Sequence, residues 1–218
     1  NVTYSGAGHS RPTKDAEIKL FVNTMIAAYN AGVTAPSVNF KDKSGSKIQS
    51  VYMLYDPVNH IVLDDKNNGT ISVNFQADDY NILAGGQQLC VEFYKSCADD
   101  TSGAISVDGI TGKVLRLKTD GEDGLKITDS NGNVILPIER NGVMNCYPIT
   151  NGATYTLKYS SDEMGLFRTD TSGKILNEGA QASTIYARVY TVYDNGSKVT
   201  PCGIAELSIS AEELFELN

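Results

Sequence analysis

Two hydrophobic periods divide the chain. Ile18, Phe21, Val22, Met25, Ile26 and Tyr29 fall at i, i+3, i+4, i+7, i+8 and i+11, which is one stripe of an α-helix. Thr13 suits the N-cap, Asp15 and Glu17 suit the positive end of the helix dipole, and Gly32 suits a left-handed stop, so the spacing predicts a helix over about residues 14–31. Its stripe needs an apolar surface to cover and is expected to dock on the first sandwich after it or on a neighbouring copy. From Pro36 onward the period falls to two. Ile71, Val73, Phe75 and Ala77 alternate with Ser72, Asn74, Gln76 and Asp78, and the pattern returns in Leu89, Val91 and Phe93, in Tyr155, Leu157 and Tyr159, and in Ile185, Ala187 and Val189.

Between these runs stand Asn68-Gly69, Asp108-Gly109, Asp120-Gly121, Asn131-Gly132, Asn141-Gly142, Asn151-Gly152 and Asn195-Gly196, dipeptides that tolerate positive φ in tight hairpin turns. The predicted class is therefore mainly β: two immunoglobulin-like β-sandwiches preceded by one N-terminal strand–helix segment. Two sandwiches are the natural count because the alternating region exceeds the roughly 100 residues of one. The divisions are 1–35 for the strand–helix segment, 36–118 for the first sandwich and 119–218 for the second. The polar, Gly-rich stretch 120–124 serves either as a junction or as a hairpin loop inside one larger sandwich.

Charge narrows the partners. With 18 Lys and Arg against 26 Asp and Glu, the chain carries −8 and has no run of consecutive basic residues. Nucleic acid and anionic membrane surfaces are thereby excluded as partners. No apolar stretch approaches the roughly 20 residues of a membrane span, so the chain is not expected to cross a membrane. Asn1 opens on strand-like residues without an initiator Met, which reads as the trimming point of a longer protein.

The opening Val2-Thr3-Tyr4-Ser5-Gly6-Ala7-Gly8-His9-Ser10, followed by Asp15-Ala16-Glu17-Ile18-Lys19-Leu20-Phe21-Val22-Asn23, resembles the end of a class I glutamine-amidotransferase-like domain over residues 1–32. That resemblance implies a last strand, a Gly-His turn and a closing helix behind an α/β domain lying upstream. Near the other end, residues 184–192 with Asp194-Asn195-Gly196-Ser197 and 205–209 resemble the final hairpin of a fibronectin type III or immunoglobulin-like domain. In such domains a Tyr near the start of the penultimate strand anchors a turn, and Tyr186 holds that place.

Candidate chemistry is sparse. His9 and His60 lie in different segments and cannot by themselves build a catalytic triad or a His-based metal site. Cys90, Cys97, Cys146 and Cys202 have no metal-ligand spacing, and a straight strand would hold Cys90 and Cys97 about 23 Å apart. Thiols and a bridge such as Cys146 to Cys202 both remain open. Acidic and amide clusters occur at 64–68, 99–100, 120–123 and 129–133. The last resembles the first half of a calcium loop but has Arg140 where the closing Glu belongs, and hairpin turn chemistry explains it without metal. Asn1, Asn68 and Asn195 head glycosylation sequons. No catalytic residue, metal or cofactor is expected.

Tyr186, Arg188 and Tyr190 alternate with Ile185, Ala187 and Val189 and so share one strand face. They form the candidate ligand-binding row, with cross-strand pairing as the alternative. The expected function is a non-catalytic, surface-exposed module, a spacer, adhesion or recognition element of a larger bacterial cell-surface protein, meeting cell-wall glycan or a surface protein outside the cell. The alternative is a carbohydrate- or substrate-targeting appendage of an enzyme whose amidotransferase-like domain lies upstream.

Overall fold

A computed structural model describes residues 15–32, 34–56, 61–63, 70–81, 85–96, 104–115, 125–140, 143–160, 182–193, 197–198 and 200–213. The helix α1, Asp15–Gly32, lies within one residue of the span that its period predicts. Its stripe does not dock on the described sandwich. Ile18, Phe21, Val22, Met25 and Ile26 are between 44% and 57% exposed. The physical reason lies in the strands. The sheet nearest in sequence turns Asn39, Lys41, Asn74 and Gln76 outward and offers no apolar face to match.

The described strands are β1 Ser37–Lys41, β2 Ser50–Asp56, β3 Ile61–Leu63, β4 Thr70–Asp78, β5 Gln87–Ser96, β6 Ile105–Val107, β7 Ile110–Val114, β8 Lys126–Thr128, β9 Ile138–Arg140, β10 Val143–Ile149, β11 Thr154–Ser160, β12 Ala182–Tyr193 and β13 Gly203–Glu213. One sheet runs β1-β4-β11-β8. The other runs β3-β2-β13-β12-β5-β10-β9, with β7 also on β5 and β6 on β7. Taken as A-B-E-D facing G-F-C, with β13, β12 and β5 as the second trio, this is the strand order of an immunoglobulin-type sandwich. The first strand divides between the sheets: β1 pairs antiparallel with β4, and β2 pairs in parallel with β13.

Alternation builds the core. Val38 and Phe40, Val73, Phe75 and Ala77, Tyr155 and Leu157 face inward from one sheet. Leu89, Val91 and Phe93, Tyr147, Ile185, Ala187 and Val189, Leu207 and Ile209 meet them from the other. Phe75 stands edge-on to Phe93 with centroids 5.2 Å apart, and stacks on Tyr155 at 5.6 Å. Each such fully buried side chain contributes roughly 1.5–3 kcal/mol.

The division into 36–118 and 119–218 is corrected by the strand pairings. β5 pairs with β12 and β10, β4 pairs with β11, and residues from both sides of the boundary form one contiguous core cluster. Strands that must bury the same inner faces cannot separate into independent sandwiches. The described strands form one sandwich, the alternative that 120–124 left open; residues 116–124 lie outside the described residues. Two backbone details shape the large sheet. Asp108 and Gly109 take φ of 46° and 86°, the mirror-image turn that closes the β6–β7 hairpin. Gly203 admits the carbonyl of Pro36 so closely that a Cβ there would lie 1.8 Å from its oxygen.

Candidate functional site

β5 and β12 run antiparallel through the middle of the large sheet, and their register sets Tyr186 opposite Tyr94, Arg188 opposite Glu92 and Tyr190 opposite Cys90. The odd positions of both strands enter the core. The even ones form a second layer on the outer face, which is also buried: Cys90, Cys146, Tyr190 and Val192 pack together, with Ile138 and Cys202 against them.

Within that layer Glu92 is 5% exposed. A buried carboxylate requires partners, and Glu92 has three. Tyr94 Oη donates to Oε2 in a short hydrogen bond, Tyr190 Oη donates to Oε1 at 2.6 Å, and Arg188 Nη1 donates to Oε2 at 2.7 Å. The rest of the guanidinium turns to the β6–β7 turn, where Nε and Nη2 reach Asp108 Oδ2 at 2.8 and 2.6 Å. Its carbon lies 4.8 Å from the centre of the Tyr190 ring, a cation–π contact. Beyond Asp108, Lys198 Nζ lies 3.6 Å from Cys202 Sγ.

The electrostatics follow from burial and pairing. Burial first, and Glu92 second, push the Tyr94 phenol well above its ordinary value. Burial also raises Tyr190, with Cys146 and Glu92 adding to it. A hydrogen bond from the Cys202 thiol and then the Arg188 guanidinium hold Asp108 below the usual carboxylate range. Burial and the Asp108 contact push the Cys202 thiol up to about 11, so it is protonated at neutral pH and is a weak nucleophile. The arrangement is suited to joining β5, β12 and the β6–β7 hairpin.

The candidate row is therefore corrected. Alternation does put Tyr186, Arg188 and Tyr190 on the face opposite Ile185, Ala187 and Val189, but the face is not an open one. Tyr190 is 6% exposed and its hydroxyl is taken by Glu92; the Arg188 side chain is 11% exposed and bonded on both edges. Tyr186, half-buried, retains ring surface, and its phenol is raised by burial and by nearby Glu206. The residues that sequence reasoning missed are Glu92, Tyr94 and Asp108. A signal existed for Glu92: it is the one charge in Leu89-Cys90-Val91-Glu92-Phe93-Tyr94, a run too apolar for a half-wet strand.

The other candidates separate from this network. Cys90, Cys146 and Cys202 are thiols, so the bridge from Cys146 to Cys202 is not formed. Asp129 Oδ1 accepts from the backbone N–H groups of Asn131 and Asn133 at 2.9 and 2.8 Å, and Oδ2 accepts from Asn133 Nδ2 at 2.9 Å. Those donors are the ones a tight Asx-type turn supplies. His9, His60, Cys97, the clusters 64–68, 99–100 and 120–123, and the sequon residues Asn1, Asn68 and Asn195 lie outside the described residues. No described helix is long and apolar enough to cross a membrane.

No protein-family model matches the chain, and no curated protein sequence matches it. Solved structures do, at low similarity. Murine CRIg is 9% identical with a TM-score of 0.32, over 81% of this chain and 98% of that one. The C-terminal domain of the AgI/II polypeptide BspA from Streptococcus agalactiae is 12% identical with a TM-score of 0.30, over 81% of this chain and 50% of that one. AvmM, which catalyses macrocyclization in alchivemycin A biosynthesis, is 10% identical with a TM-score of 0.35, over 84% and 92%. Likenesses this distant carry no functional argument. The immunoglobulin-type order rests on the strand pairings themselves, and the resemblance over 1–32 is unsupported: no family model matches it, and residues 1–14 lie outside the described ones.

Proposed function

We propose that this chain is a non-catalytic module of a larger bacterial cell-surface protein, acting outside the cell as a spacer, adhesion or recognition element toward cell-wall glycan or another surface protein. One observation carries this reading: the buried charged and phenolic groups described around Glu92 are engaged with one another. Glu92 is held by Arg188, Tyr94 and Tyr190, and Arg188 by Asp108. A general acid or base must exchange its proton with a substrate, whereas these groups tie strands and a hairpin together. The net charge of −8 supports a partner other than a polyanion. Tyr186 is the member of the candidate row with ring surface left for a ligand, and Arg188 and Tyr190 act by holding the strand beneath it.

The test uses the native protein in the cells that make it. A membrane-impermeant biotin ester applied to intact cells is expected to label the protein as fully as it does after lysis. Labelling that appears only after lysis would overturn the surface assignment.

A further inference from the structure

Two of the Asn-Gly dipeptides lie in described turns, and the turns treat them differently. Asn131-Gly132 closes the hairpin that pairs Thr128 with Val134, and Asn151-Gly152 joins β10 to β11. Both glycines are left-handed, with φ of 83° and 74°. Glycine has no side chain to shield its backbone nitrogen, so in each pair that nitrogen is sterically able to reach the preceding amide carbon. At Asn151 the amide is occupied at both ends. Its Oδ1 accepts from Asp79 N at 2.8 Å and its Nδ2 donates to Asp79 O at 2.9 Å. Gly152 N donates to Ala77 O at 2.9 Å, so both reacting groups are fixed to the end of β4. At Asn131 the side-chain amide is exposed and takes no hydrogen bond among the described residues. The restraint there comes from Asp129, whose Oδ1 accepts from the backbone N–H groups of Asn131 and Asn133 and whose carbonyl accepts from Gly132 N at 3.0 Å.

We propose that Asn131 is a self-modification site, converting slowly to aspartate and isoaspartate at a rate restrained by Asp129, whereas Asn151 is held against the same reaction. The Gly132 nitrogen gives up its proton and bonds to Asn131 Cγ; the Cγ–Nδ2 bond breaks, and the amide nitrogen leaves as ammonia with that proton. Water then opens the cyclic imide at either carbonyl carbon. One opening gives aspartate, and the other gives isoaspartate, with the main chain running through Cγ. Solvent is the only co-reactant. Attack at Asn131 requires release of Gly132 N from within its own turn, while attack at Asn151 requires release of three hydrogen bonds to β4 and the residue after it. Asp129 slows the exposed site in two ways. It ties the backbone on both sides of Gly132, and hydrogen bonds from Asn133 hold its carboxyl below the usual range, so a negative charge opposes loss of the nearby Gly132 proton. Isoaspartate adds a methylene carbon to the main chain of a turn whose ends are set by Asp129 N to Asn133 O at 3.0 Å and Ile135 N to Ile127 O at 2.9 Å. Conversion therefore releases residues 133–135 from β8, the outer strand of the four-stranded sheet. The reaction needs only the turn and holds whether or not the chain is displayed on a cell.

The test incubates the full folded chain at mildly alkaline pH and follows each site by peptide mass, with fragment spectra placing the exchange of amide nitrogen for oxygen on Asn131 or Asn151. Asn131 is expected to convert at least about tenfold faster than Asn151. In urea, with both turns unfolded, the two rates should come within about threefold of each other. Equal rates in the folded chain, or an Asn131 left intact over the time in which the unfolded chain converts it completely, would overturn the site. Asp129→Ala should speed Asn131 at least about threefold and leave Asn151 unchanged. An unaltered Asn131 rate would overturn the restraint by Asp129. Should that variant unfold, Asn151 accelerates as well, and the comparison of the unsubstituted chain in buffer and in urea still decides. In the converted protein the Ile135 amide should exchange faster than in the fresh one; equal exchange would overturn the release from β8.

Discussion

On the four-stranded sheet, Ser72, Asn74, Gln76 and Asp78 alternate with buried Val73, Phe75 and Ala77, and these outer residues are exposed or half-exposed. On the nine-stranded sheet, β5 keeps Cys90, Glu92 and Tyr94 as deeply buried as Leu89, Val91 and Phe93. Both strands obey the same two-residue period. The difference shows that alternation assigns side chains to faces but does not say which faces are wet. Where the outer face meets water, pairs such as Thr156 Oγ1 to Asn74 Oδ1 at 2.9 Å replace hydrogen bonds that water would supply, and their net effect is small. Where it is covered, each polar group must find protein partners, and Glu92 gathers three.

Substitutions on the two outer faces should therefore differ most. Glu92→Ala leaves Arg188 with Asp108 alone and removes the acceptor of two phenols, and it is expected to cost about 3–5 kcal/mol in denaturant unfolding. Asn74→Ala on the other sheet should stay within about 1 kcal/mol. Equal costs would erase the contrast. A charge-specific test refines it: in a double-mutant cycle, Glu92→Gln and Arg188→Met should couple by about 1–3 kcal/mol, and additive effects would mean that the contact is incidental.

Alkaline titration reads the same network without mutation. Tyr94 and Tyr190 are raised above the ordinary phenol value of 10.0 in the folded chain, so their contribution is complete below pH 10 and is lost as pH rises from there toward the folded values. Ultraviolet titration should show two phenols that ionise only as the protein unfolds. Free titration of all the tyrosines near pH 10 would contradict the buried layer. The smallest effect belongs to Asp108, more than a third exposed at its side chain. Because it is lowered from 3.8 in the folded state, its contribution is present above about pH 4 and is lost as pH falls through the folded value. Hydrogen exchange in the β6–β7 hairpin should speed up over that acid range before the core opens.

Much of the fold was legible in the sequence. The two periods located α1 and the inward faces of β4, β5, β11 and β12, and Asp108-Gly109, Asn131-Gly132 and Asn151-Gly152 each carry the left-handed glycine that their turns require. The pairing of β5 with β12 was not legible, because a two-residue period carries no information about which distant strand is the neighbour. Without that pairing, Arg188 could not be matched with Glu92, and the row Tyr186, Arg188, Tyr190 looked available for a ligand. The exposed stripe of α1 has the same origin: its period shows an apolar face, and nothing in that period names the surface it covers.

The measurement that bears most directly on a single core is native-state hydrogen exchange of the full chain at increasing denaturant. Strands β4 and β5 precede residue 118, and β11 and β12 come after it, yet they share one cluster around Phe75, Phe93, Tyr155 and Ala187. The slowest amides of all four strands are predicted to converge on one opening free energy with one denaturant dependence. Two separate sets, β4 with β5 at one value and β11 with β12 at another, would contradict a common core and restore two independent sandwiches.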